Sequence, residues 1–284
     1  MEMTQSQTQL VFRGLGQIML QNNAITGLVF IFGIAIHSLF LACAALMGAI
    51  LGTFWAKRCQ YPVAEINAGL YGFNSALVAI GVCYFYSFSL LTLGLVLCGS
   101  IFATWIMHVM QTYHLKPYTF PFVLTLWLIF AVTPQQIMEL PVVTVGQSSI
   151  NAIFQGFGQV MFQSNSWTGL IFILAIAINN AKHALWAIFA AILATWVAFL
   201  FNASHAEIMA GLYGYNAVLA ALAILLFTPQ KWLCLLAIFL SVIFSKLMFL
   251  FSLPALTFPF IAAVWCIAWG LQIFTASSKT PLKD

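Results

Sequence analysis

Charge is what this sequence has least of: nine Lys or Arg and five Asp or Glu in 284 residues, 5% of the chain. A soluble domain carries about a quarter, so a water-soluble globular fold is excluded. The basic residues stand singly, and a net charge of +4 never gathers into the clustered face that phosphates require, which excludes nucleic acid as a partner. The six cysteines, Cys43, Cys59, Cys83, Cys98, Cys234 and Cys266, show no CxxC spacing. That argues against a metal site or a disulfide framework and leaves them as small buried hydrophobes. There is no phosphate loop, no HExxH and no nucleophile beside a base, so neither an enzyme nor a cofactor is expected. The first fourteen residues lack the basic and apolar regions of a cleaved signal peptide and are expected to be retained.

What the chain has in excess is apolar surface, 63% hydrophobic and 15% aromatic residues. Such a chain is not disordered, and a lipid bilayer is the solvent that suits it. At about 20 residues per helical span, its length allows roughly ten crossings and no large extramembrane domain. Any function is expected inside the membrane.

The most informative feature is a duplication. Residues 12–36, FRGLGQIMLQNNAITGLVFIFGIAI, align without gaps on residues 154–178, FQGFGQVMFQSNSWTGLIFILAIAI, at an offset of 142. At the same offset residues 64–80 match 206–222, and with a small slip YTFPF at 118–122 matches LTFPF at 256–260. Each half reads as a short amphipathic segment followed by five apolar spans: 8–22, then 24–40, 41–56, 64–86, 88–112 and 118–134 in the first, and 150–164, then 167–181, 183–201, 206–227, 232–251 and 256–275 in the second. The short segments contain Gly, Gln and Asn and read as re-entrant, a conformation tolerated at membrane depth only under protein or beside water. The predicted fold class is an all-α polytopic membrane protein, ten transmembrane helices plus two re-entrant pore helices. Residues 1–142 and 143–284 form the two repeats.

An odd number of crossings per half inverts the second half. With a cytoplasmic N-terminus, Arg13, Lys57, Arg58, Lys116, Lys182, Lys231, Lys279 and Lys283 fall on the cytoplasmic side and only Lys246 near the other face. This is the expected bias, and it puts both termini in the cytoplasm.

Inverted repeats bring equivalent residues together near the midplane, so recurring polar residues are candidates for a pore lining. Gln17 and Gln159 qualify, either as pore groups or as caps on loose backbone within their own halves. Thr119 and Thr257 qualify beside Pro121 and Pro259, whose missing amide protons free carbonyls one turn earlier; a polar step and a simple kink are both open. Phe73 with Leu77, and Tyr215 with Leu219, share a helical face at four-residue spacing. Gly69, Gly72, Gly211 and Gly214 offer surfaces for close helix approach. Asn74 and Asn216 read as partners for loosened backbone, and Glu65 and Glu207 as N-terminal caps or vestibule groups. No Asp, Lys or Arg recurs within the spans, and His37, His108, His114, His183 and His205 recur nowhere. An ion-coupled transporter usually shows such groups.

The tandem of a GxGQ re-entrant segment, a GLxGxN span and an LPxxTxPF block resembles the urea transporter family. The block is intact at Leu253 to Phe260, while Leu115-Lys116-Pro117 carries Lys in place of the first Pro. The resemblance implies a passive, channel-like urea transporter, a pore within each protomer and a homotrimer, in a bacterial inner membrane. It further implies a filter with carbonyl ladders at Gln17 and Gln159 and a middle at Thr119 and Thr257. Aromatic slots would be lined by Phe73, Leu77, Tyr215 and Leu219 with Leu20 and Phe162. Pseudo-symmetry predicts that Leu20 faces Tyr215 and Phe162 faces Phe73. A channel for another small neutral solute is the alternative.

Overall fold

The computed structural model describes residues 6–133 and 149–277, with side chains as far as residue 271. Lys279, Lys283 and the boundary at residue 142 lie outside the described residues. All regular structure among those described is helical, and it follows the duplication with little drift. Helix α1 (Gln7–Gln17), α2 (Ala24–His37), α3 (Leu39–Arg58) and α4 (Val63–Asn67) recur 142 residues on as α8 (Ser149–Gln159), α9 (Ser166–Asn179), α10 (Ala181–Leu200) and α11 (His205–Met209). Helix α5 (Phe73–Phe85) recurs as α12 (Gly214–Phe227). Helix α6 (Leu90–Thr112) has 23 residues and its counterpart α13 (Trp232–Leu250) has 19. That difference accounts for the slip in register before α7 (Phe120–Val132) and α14 (Phe258–Ser277).

Helices α3, α6, α10 and α13 are long and apolar enough to cross a bilayer; α2, α5, α7, α9 and α12 are apolar helices of 13 or 14 residues, and α14 is apolar over residues 258–271. The expected spans 64–86 and 206–227 are broken. In each, a short helix ends, the chain turns through a glycine of positive φ (Gly69, 74°; Gly211, 75°), and a second helix begins. A side chain is excluded there twice over, since a Cβ on Gly69 would also lie 2.5 Å from Gly14 N and one on Gly211 2.4 Å from Gly156 N. The expected close approach is present, because a Cβ on Gly14 would stand 3.2 Å from Gly72 Cα, and one on Gly156 3.3 Å from Gly214 Cα.

Of the two readings left open at the prolines, the kink is not formed. Pro121 and Pro259 occupy the first turn of α7 and α14, where the missing amide proton would have had no intrahelical partner. The cysteines also depart from expectation: of the six, only Cys234 is buried, and Cys43, Cys59, Cys98 and Cys266 lie on the outer surface.

Contacts between the halves come in reciprocal pairs. Thr26 Oγ1 donates to Ala175 O and Thr168 Oγ1 to Gly33 O, each at 3.0 Å. Trp127 Nε1 donates to Pro254 O and Trp265 Nε1 to Lys116 O, each at 2.9 Å. Phe30 meets its own counterpart Phe172, ring centres 4.9 Å apart. Because Thr26 faces Ala175 while Gly33 faces Thr168, α2 and α9 run antiparallel. The Lys116 substitution in the first half is harmless to this frame, since the carbonyl that Trp265 needs comes from the backbone.

Candidate functional site

Helices α1 and α8 stop at the start of a tight turn in which Leu20 (φ 60°) and Phe162 (φ 59°) adopt the left-handed conformation. Without glycine there, the turn needs support. Buried Gln21 supplies it by donating Nε2 to Met19 O at 2.8 Å, and Gln163 does the same to Met161 O at 2.7 Å. Leu20 and Phe162 are thereby held out from the helix ends. These ends carry carbonyls without intrahelical partners and the negative pole of the helix dipole, a setting that suits N–H donors.

Gln17 donates Nε2 to Ala68 O at 2.8 Å and Gln159 to Ala210 O at 3.0 Å, each closing the helix break of its own half. The capping role is therefore real, and it orients the residue: with the amide committed, the Oε1 acceptor is left for the cavity that each glutamine lines. The carboxylates of Glu65 and Glu207 accept from Tyr71 Oη and, at 3.0 Å, from Tyr213 Oη, in the same breaks. The expected caps are not formed, since neither α4 nor α11 has a side-chain cap bond, and neither glutamate lines either cavity.

Two cavities of similar size follow. The first, about 240 Å³, is lined by Gln17, Leu20, Leu70, Phe73 and Tyr118 of the first half and Phe227 of the second, among others. The second, about 260 Å³, is lined by Gln159, Phe162, Tyr215 and Thr257 with Tyr84 and Phe85 of the first half, among others. Thr257 lines the second cavity and Thr119 follows Tyr118 of the first; their Oγ1 atoms are 2.6 Å apart, both side chains buried. The threonines thus bond to each other across the halves.

Asparagines fix this waist. Asn74 donates Nδ2 to Tyr118 O at 3.1 Å and accepts Phe122 N at 3.2 Å. Asn216 donates to Leu256 O at 3.2 Å and accepts Phe260 N at 3.1 Å. Each caps the helix that follows a threonine, from another helix, as the expected partner of loose backbone. Leu256 O takes a second bond, from Tyr215 Oη at 2.6 Å.

The expected facing pairs are not the ones formed. Leu20 shares a cavity with Phe73, and Phe162 with Tyr215, so each pore-helix residue sits with the third span of its own half. Across the halves Phe162 meets the far end of α5, with ring centres 5.0 Å from Tyr84 and 5.6 Å from Phe85, and the first turn of α7, 6.1 Å from Phe122. Leu77 and Leu219 are fully buried in the core beneath Phe73 and Tyr215 and line neither cavity. Phe85 and Phe227 were missed, although the sequence repeats a phenylalanine at this position in both halves.

Two matched cavities, with a buried pair of hydroxyls beside residues that line them, inside an all-helical membrane protein, fit a transport protein of channel type for small uncharged molecules. The chain belongs to the urea transporter family: the family model matches residues 8–272. Urea transporter 1 of Ovis aries and that of Capra hircus are each 26% identical to it, over 95% of this chain and 77% of the relative. Urea transporter 1 of Mus musculus is 25% identical over the same shares. These relatives are mammalian and say nothing for or against the bacterial setting expected from the resemblance.

Proposed function

We propose that the protein is a passive, channel-like transporter that lets urea move down its gradient through a pore within each protomer, the protomers forming a homotrimer. The observation that carries this reading is the buried Thr119–Thr257 hydroxyl contact, next to residues that line two matched cavities. Urea is flat and neutral and carries four N–H donors. Hydroxyls, the Gln17 and Gln159 carbonyls and the ends of α1 and α8 offer acceptors, and rings and leucines restrict its thickness. A permeating ion would find poor solvation there. Stopped-flow urea flux into liposomes holding the purified protein tests the proposal. Saturable flux indifferent to sodium and proton gradients supports it; flux no faster than in empty liposomes, or flux driven by either gradient, overturns it.

The halves are proposed to be inverted repeats, residues 1–142 and 143–284, that together make ten crossings and two re-entrant helices. Support comes from the antiparallel pairing of α2 with α9: if both cross the bilayer, the axis relating them lies in the membrane plane. Both termini are then cytoplasmic. A cysteine at Ser6 is expected to react only from the cytoplasm and one at Ser204 only from the opposite side; the reverse pattern would sink the topology.

In the filter, Gln17, Leu20, Phe73 and Thr119 serve one end, and Gln159, Phe162, Tyr215 and Thr257 the other, with Leu77 and Leu219 supporting the rings from beneath. The slots are unequal. Phe162 stands among the rings of Tyr84 and Phe85 in the second cavity, whereas Leu20 of the first is branched. Phe162→Ala should therefore relax discrimination against N-methylated ureas more than Leu20→Ala. Affinity should change less, because stacking on a ring is worth only about 1 kcal/mol. Competition by a methylated urea series measures both variants, and an equal or larger change at Leu20 would show that the first slot is the sharper one.

A further inference from the structure

The two sides of the threonine pair share one backbone arrangement and differ in the hydrogen bonds at one carbonyl. On each side a residue of positive φ, Tyr118 (47°) or Leu256 (44°), precedes the threonine. On each side an asparagine amide donates to that residue's carbonyl. Only in the second half does a hydroxyl join it, Tyr215 Oη on Leu256 O at 2.6 Å. The counterpart of Tyr215 is Phe73, which has no hydroxyl. A peptide carbonyl has two lone pairs. At Leu256 both are engaged; at Tyr118 the asparagine engages one. Tyr118 lines the first cavity beside Gln17 and Phe73, and Leu256 lines the second beside Gln159 and Tyr215.

We propose that the Tyr215 hydroxyl is a specificity-determining group that withdraws the Leu256 carbonyl from the pathway. The Tyr118 carbonyl is then the acceptor that grips a permeant's N–H groups at the waist. The phenol oxygen that takes the carbonyl's place on the second wall is the poorer acceptor. The waist is graded as a result: a molecule with two amide nitrogens is held on the Tyr118 side and let go on the Leu256 side. Such grading serves conduction, which needs binding favourable enough for entry and weak enough for exit.

This inference rests on the urea reading above, and its test separates the two. Half-saturating concentrations for urea and for acetamide, which has one amide nitrogen, are measured in liposomes with the parent, Tyr215→Phe and Phe73→Tyr. Tyr215→Phe frees an acceptor and should lower the half-saturating urea concentration roughly fivefold, the worth of one net neutral hydrogen bond. It should also raise the preference for urea over acetamide. Phe73→Tyr places a hydroxyl on the Tyr118 carbonyl and should move both quantities the opposite way. Each variant is decisive alone, so failure of one to fold leaves the other. Values unmoved in a folded variant, or moved in the same direction in both, overturn the inference while the urea reading stands. A parent without saturable urea flux overturns the urea reading itself.

Discussion

Urea flux through the Thr119→Val, Thr257→Val double variant is expected to fall about thirtyfold, with each single variant about fivefold slower than the parent. Valine keeps the shape of threonine and removes the hydroxyl, so the waist keeps its width while losing its polar character. The two hydroxyls bond each other at 2.6 Å when no permeant is between them. Passage exchanges that bond for bonds to the permeant, and each hydroxyl contributes about 1 kcal/mol net. In either single variant one hydroxyl remains to be offered. Stopped-flow measurement on variants that purify and melt like the parent decides the matter, and a double variant conducting at the parent rate would make the pair purely structural.

Asn74→Ala is expected to destabilise the protein by about 3 kcal/mol and Asn216→Ala by about 2 kcal/mol, since a buried backbone group left without its partner costs roughly 1–3 kcal/mol. Both asparagines are fully buried, and each joins the carbonyl before a threonine to an amide one turn into the next helix. The difference between the variants comes from Tyr215. Its hydroxyl still satisfies Leu256 O when Asn216 is shortened, while Tyr118 O has no tyrosine hydroxyl to fall back on. Thermal unfolding in detergent reads this directly; equal midpoints for the two variants would contradict the assigned asymmetry.

The register of the elements was legible because polar and small residues recur at a fixed offset, and the termini of four helix pairs match that offset. The break at residues 68–72 was not, because apolar composition continues across Gly69-Leu70-Tyr71-Gly72 and hydropathy does not register a change of direction. Its signal was the paired glycines, which read as packing surfaces and proved to be a turn as well. At Pro121 and Pro259 the open choice between kink and polar step depended on where the helix starts, and α7 and α14 begin one residue before the proline, which makes each a first-turn residue. In the site, the recurrence of Gln17, Thr119 and Asn74 in the second half marked the waist and its supports. Symmetry told which half Phe162 must reach. It did not tell which turn of α5 it meets, because that depends on how far the re-entrant helix penetrates, a tertiary quantity.

The unequal lengths of α6 and α13 limit how the two halves can diverge. Four residues turn a helix by about 400°, some 40° past a full revolution, and extend it by about 6 Å. Side chains beyond such an insertion still confront nearly the same neighbours. One or two residues would instead swing the helix by about 100° or 200° and present its lipid side to the protein interior. Length in this element can therefore drift only in whole turns, which lets one mouth of the pathway gain height over the other while the waist keeps its facing.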